Sequence, residues 1–228
     1  MNIKSLAAAA VLAAAAMVGS ASAATLNSSV TTTGKFNLKI YNFDAGGSAA
    51  NAAATVANVD AQASAGKLVF NGTYTGNLDF FLDTPGGAPT IAEFLATSGG
   101  SYVGFSNANF NNLILSEGAG SSSPVFRTTT FFDFTAEITD GLYGTVTHDD
   151  GISVLDDGVT VASSAPPTTV KDTDYAFNGG AFRLIYAAAN GDPSVLKVAA
   201  VPLPATLFLM LGALGGLGAM SRRRRVAA

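Results

Sequence analysis

A chain that alternates apolar and polar residues with a period of two can bury one face of a strand and solvate the other, and this chain does so along much of its length. From Lys35 to Tyr41, Phe36, Leu38 and Ile40 share one face, while Lys35, Asn37 and Lys39 share the other. From Phe126 to Ile138 the even positions include Phe132, Phe134, Ala136 and Ile138. Arg127, Thr129, Asp133 and Glu137 oppose them, and Phe131 interrupts the alternation. Further strands are expected over 67–74, 77–82, 110–115, 142–147, 152–155, 159–162, 182–187 and 195–198, separated by Gly, Asn, Asp and Ser. Short antiparallel strands in this number predict an all-β fold, an antiparallel β-sandwich of the jelly-roll kind. Two stretches break the pattern. Thr90-Ile91-Ala92-Glu93 reads as a capping box that opens a short helix to about Ala96. The Ala-rich stretch from Ser48 to Ala65 suits a helix or a loop equally.

The two ends differ from this middle. Lys4, an apolar run from Leu6 to Val18 and the small residues Ala21-Ser22-Ala23 follow one another in the order of a secretory signal peptide, which predicts cleavage after Ala23. The run from Val201 to Met220 holds 20 residues without a charge. As a helix it would measure about 30 Å, the thickness of a hydrocarbon core. Arg222, Arg223, Arg224 and Arg225 follow and are costly to translocate, so they are expected to stop transfer and stay cytoplasmic. The expected organisation is therefore a signal peptide over 1–23, an extracytoplasmic β-sandwich over 24–200 and a membrane-inserting tail over 201–228.

All 16 acidic residues lie between Ala24 and Ala200, with only seven of the 12 basic ones, so the body carries a charge of about −9. That balance disfavours nucleic-acid binding, which needs clustered Lys and Arg. The chain has no Cys, so an exported body must rest on its hydrophobic core.

The tail carries a first resemblance. Val201-Pro202-Leu203-Pro204-Ala205, an apolar helix and an arginine cluster resemble the VPLPA variant of the PEP-CTERM family of bacterial sorting tails. The resemblance covers roughly the last 28 residues. It implies an exosortase-type membrane transpeptidase as partner, processing near the motif, and delivery to the surface or to an extracellular polysaccharide matrix. Pro202 and Pro204 would hold the motif extended and keep a helix from propagating upstream. A permanent single-pass anchor is the alternative.

Chemistry-bearing motifs are few. His148 is the sole histidine, and the body has no G-x-S-x-G elbow or phosphate-binding glycine loop. A serine hydrolase would have to use His148 as its base, and no carboxylate pair is singled out for a glycosidase. One stretch stands apart. In Asp149-Asp150-Gly151-Ile152-Ser153-Val154-Leu155-Asp156-Asp157-Gly158, two Asp-Asp-Gly groups flank one short strand. Each could simply be a turn. The functional reading is a cation site, since adjacent carboxylates can supply two of the oxygens that Ca²⁺ requires. Neighbours in a regular strand point to opposite faces, so joint chelation by Asp149 and Asp150 needs an irregular loop or a cis peptide.

Here lies a second resemblance. Thr147 to Gly158, with Phe182-Arg183-Leu184-Ile185-Tyr186 and Asn190-Gly191, is similar to the protective-antigen-type β-sandwich module of bacterial toxins, glycosidases and yeast flocculins. In its sugar-binding members an Asp-Asp pair joined by a cis peptide holds calcium, and a later loop adds an Asn. The resemblance implies Asp149, Asp150 and Asn190 as Ca²⁺ ligands. The leading expectation is a non-enzymatic surface or matrix protein with carbohydrate binding as its role. The rivals are a purely structural component of an extracellular polymer layer and a hydrolase.

Overall fold

The structure, a computed structural model, describes residues 34–202 except 86, 118–125 and 139–140. The expected signal peptide, the tail beyond Pro202 and the arginine cluster lie outside the described residues. Among the described residues no helix is long and apolar enough to cross a membrane.

Eleven strands and two helices are described: β1 (Lys35–Asp44), α1 (Val56–Ser64), β2 (Leu68–Thr75), β3 (Asp79–Leu82), α2 (Ile91–Ala96), β4 (Ser101–Ser106), β5 (Thr128–Ile138), β6 (Leu142–Asp149), β7 (Ile152–Asp156), β8 (Val159–Ser164), β9 (Lys171–Phe177), β10 (Gly180–Ala188) and β11 (Ser194–Pro202). They form a seven-stranded sheet, ordered β4-β2-β1-β5-β10-β7-β8, and a four-stranded sheet, ordered β3-β11-β6-β9. Every strand pair is antiparallel. This is the expected all-β sandwich.

The alternation explains the layers. Phe36, Leu38 and Ile40 of β1, Phe132 and Phe134 of β5 and Leu184 and Tyr186 of β10 face Val146 of β6 and Leu196 and Val198 of β11 across the main core. Phe131, which breaks the alternation, belongs to a second core on the other face of the large sheet. There it packs with Tyr41, Phe43, Leu155 and Ile185 beneath Ala52, Ala54 and Val59. The Ala-rich stretch therefore becomes a cover for that face. It runs through turns to Ala54 and then forms α1, whose first turn is closed by Asn58 N–H donating to the Thr55 hydroxyl. Small side chains let the cover approach the sheet closely. The capping box at Thr90 and Glu93 forms as expected and opens α2.

One local expectation is corrected, and two strands form that the alternation does not announce. Residues 110–115 form no strand: Phe110–Asn112 is a 3₁₀ turn, with only Ile114 bridging to Thr90. Phe110 anchors that turn by inserting against Phe70 and Tyr102. Lys171, Asp172 and Asp174 have the polarity of a solvated loop, yet Lys171–Phe177 form β9. The hydroxyls of Thr145 and Thr147 on β6 donate to Asp174 and Asp172 across that pairing. Strand β4, over 101–106, has little alternation to announce it, because it lies exposed at an edge. At the other end, β11 runs on into the proline motif, with Val201 opposite Tyr143 and Pro202 opposite Leu142.

Candidate functional site

The two Asp-Asp-Gly groups take different forms. Asp157 and Gly158 both have positive φ, +48° and +80°, and make the two-residue hairpin that returns β7 to β8, with Asp156 opposite Val159. Asp149-Asp150-Gly151 instead carries the chain from β6 in the small sheet to β7 in the large one. Asp150 makes that crossing at φ +64°, a left-handed conformation that Asp tolerates better than most residues. At Gly151 a Cβ would run into the Ala165 carbonyl, so glycine is required for the crossing to pass beneath that segment.

Both carboxylates of the crossing are buried, Asp149 with 4% and Asp150 with 0% of its surface exposed. Oδ2 of Asp150 accepts the backbone N–H groups of Ala189 at 2.6 Å and Asn190 at 3.0 Å. The Thr168 N–H leans on the same carboxyl more weakly, and Oδ1 completes no hydrogen bond. Asp149 Oδ1 accepts the N–H of Asp150 at 3.1 Å. No basic side chain forms an ion pair with either carboxylate among the described residues. Burial consequently pushes the Asp150 carboxyl up to about 7, with a smaller push from the charge of Asp149, and burial raises Asp149 as well.

Two buried side chains hold the crossing in place. The Tyr186 hydroxyl donates to the Asp149 carbonyl at 2.7 Å, and burial keeps that phenol protonated. Nδ1 of His148 lies 2.5 Å from the Asp150 carbonyl, which can only accept, so Nδ1 carries the proton and Nε2 accepts from the Thr173 hydroxyl at 2.8 Å. Burial lowers the pKa of His148 and so favours this neutral form. The imidazole is thus engaged at both nitrogens and braces a loop. Sequence reading gives His148 and Tyr186 no such role, because their contacts run to backbone carbonyls that only the fold brings near.

The fold brings the three expected ligands together. Asn190 reaches Asp150 through its backbone N–H, while its side-chain NH₂ donates to the Thr168 carbonyl at 3.3 Å. Of the two arrangements that joint chelation allows, an irregular loop or a cis peptide, the pair takes the first: the cis peptide among the described residues is Asp192–Pro193, and the left-handed φ of Asp150 provides the irregularity. No cluster of three or more His, Cys, Asp or Glu side chains suited to a metal occurs among the described residues. A cation here would therefore draw on two carboxylates completed by amide, backbone or ligand oxygens. An oxygen buried without a donor, beside a second carboxylate, is a donor set that fits a hard cation.

No family model and no curated protein matches this chain. Among solved structures it is similar to a PA14 sugar-binding domain from an RTX adhesin, at 18% identity over 72% of this chain and 88% of that one, TM-score 0.42. It is also similar to the PA14 domain of the antifreeze protein MpAFP, at 15% identity over 75% and 84%, TM-score 0.44. A third is a GH31 alpha-xylosidase from Xanthomonas citri, at 8% identity over 76% of this chain and 16% of the enzyme, TM-score 0.33.

Proposed function

We propose that the protein is a non-enzymatic, surface-exported glycan-binding module whose ligand docks at the β6–β7 crossing through a Ca²⁺ ion held by Asp149, Asp150 and Asn190. The observation that carries the reading is the pair of buried carboxylates with no cationic partner. Burying a carboxylate without a counter-charge is costly; at Asp133 the cost is offset by a bidentate contact from Arg183, at 2.8 and 3.0 Å, whereas Asp156, also buried without a cation among the described residues, stands alone and is held by Asn178. At Asp149 and Asp150 a divalent cation would supply the missing charge. When bound, calcium would offer open coordination positions to sugar hydroxyl oxygens. This chain's own residues do the positioning: Ala189 and Asn190 fix one oxygen of Asp150, and His148 and Tyr186 fix the backbone of the pair. The serine-hydrolase form of the enzyme rival loses support, since the base it needs is His148, already engaged at both nitrogens. Export, anchoring by the tail and processing near Val201–Ala205 complete the proposal. They rest on the sequence of residues outside the described region, apart from Val201 and Pro202.

Thermal melts of the full chain in calcium and in chelator test the ion site. At calcium tenfold above Kd, the folded state gains about 1.4 kcal/mol, a shift of a few degrees. Asp150→Asn is expected to abolish the difference, while Asp157→Asn, in the hairpin, is expected to preserve it. Coincident melts of the unaltered protein would remove the ion site. A glycan array read with calcium and with chelator then tests sugar binding, and intact-mass measurement of the surface form tests processing.

A further inference from the structure

Strand β4 is an edge of the seven-stranded sheet, and its outer side has no partner strand among the described residues. Natural sheets guard such edges with Lys, Pro, bulges or very short strands. Ser101-Tyr102-Val103-Gly104-Phe105-Ser106 has none of these guards. It carries no charge, and its register against β2 is unbroken from Ser101 opposite Thr75 to Ser106 opposite Phe70. Val103 and Phe105 project on one face with 76% and 71% of their surfaces exposed. Gly104 holds the strand close, since a Cβ there would meet the Asn71 carbonyl and Gly72.

Charge decides which partner fits. The body as a whole is acidic, so two copies repel over most orientations. This edge differs. Neither β4 nor β2 contains a charged residue. Cross-strand partners share a face, so the rows that begin at Val103 and Phe105 pass through Thr73 and Asn71 to Asn37 and Lys39. The first carboxylate along them is Asp133 on β5, already held by Arg183. At a strand spacing of about 4.8 Å, Lys39 residues of two copies joined at this edge lie more than about 20 Å apart, beyond the screening length at physiological salt. The strand is also self-complementary: a two-fold axis at Gly104 sets Val103 of each copy opposite Phe105 of the other.

We propose that β4 is a self-association edge, at which two copies pair antiparallel about Gly104 and join their seven-stranded sheets into one. The partner is a second copy of this chain, and the inference does not depend on calcium or glycan binding. Sedimentation velocity of the full chain in detergent reads it directly. The unaltered protein is expected at twice the monomer mass. Val103→Lys and Phe105→Lys, each at an exposed position, are expected to return it to monomer mass without changing its circular dichroism, whereas Val159→Lys on β8 leaves the dimer intact. Because the chain has no Cys, a Val103→Cys, Phe105→Cys double variant provides an unambiguous second readout. Opposed Cα atoms about 4.5 to 5.5 Å apart lie within the span of an intermolecular disulfide, and mild oxidation is expected to give a covalent dimer. A monomeric unaltered protein, a dimer that survives both lysine variants, or failure of the double variant to cross-link would overturn the proposal.

Discussion

Asp133 and Asp150 are both buried carboxylates, and the fold treats them in opposite ways. Asp133 meets Arg183 in a bidentate pair, a contact reinforced because burial also deprives the guanidinium of water. Asp150 meets only backbone N–H groups, and its carboxyl is pushed up to about 7. That shift has a sign that can be tested in the metal-free protein. The folded state retains the Asp150 proton up to about pH 7, whereas the unfolded chain releases it near 3.8. The group's contribution to stability is thus complete below about pH 4. It is lost as pH rises through the window to about 7, at up to about 1.4 kcal/mol per unit. His148 acts oppositely: its depressed pKa contributes stability above the unfolded value of 6.5 that is lost in acid as pH falls through the folded value. Comparing chelated protein with Asp150→Asn across pH 4 to 8 cancels the histidine. The gap between their unfolding free energies is expected to move in favour of the Asn variant as pH rises, and a constant gap would contradict the burial described for Asp150.

Among elements, the same tripeptide yields two structures because its neighbours differ. Asp157-Gly158 joins strands of one sheet, so two left-handed residues suffice and the Asp157 side chain stays in solvent, accepting the Ala181 N–H. Asp149-Asp150-Gly151 joins different sheets, so both carboxylates are buried and that of Asp150 is drawn against the loops at Thr168 and Ala189–Asn190. The helix α2 is simpler, since its start is written locally. Thr90 accepts the Glu93 N–H at 3.2 Å, and Glu93 accepts the Thr90 N–H at 2.8 Å. Thr90→Ala is expected to cost about 1 kcal/mol in denaturant unfolding. The hydrogen bonds from the backbone and then the hydroxyl of Thr90 lower the Glu93 pKa. The box's carboxylate contribution is therefore present above about pH 4.5 and lost as pH falls through the depressed folded value. The difference between the unaltered protein and Thr90→Ala is expected to narrow in acid. A difference that stays constant in acid would show that Glu93 does not take part.

For the whole molecule, a core without disulfides draws much of its stability from closely packed aromatic rings. Phe134 meets the rings of Phe36, Tyr74, Phe80 and Phe132 at 5.9 to 6.4 Å between centroids. Phe134→Ala is expected to cost about 4 kcal/mol in urea unfolding and Phe134→Leu much less, because the smaller cavity loses fewer contacts. Equal costs would place Phe134 outside the core that joins the two sheets.

The sequence by itself determined the strands whose two faces differ in polarity, the capped helix and the buried aromatic set, since each is written in residues a few positions apart. It also marked Asp149, Asp150 and Asn190 as a group. Tertiary structure alone decided what those residues experience. Local patterning cannot tell a hairpin from a sheet-to-sheet crossing, so it could not separate Asp157 from Asp150. It also concealed β9, whose polar face makes a strand resemble a loop, and β4, whose inward side offers little beyond Tyr102 to alternate with its exposed Val103 and Phe105. The charge state of Asp150, the bracing by His148 and Tyr186 and the second core over Phe131 all depend on contacts between residues far apart in the chain. Those contacts exist only once the two sheets have closed on each other.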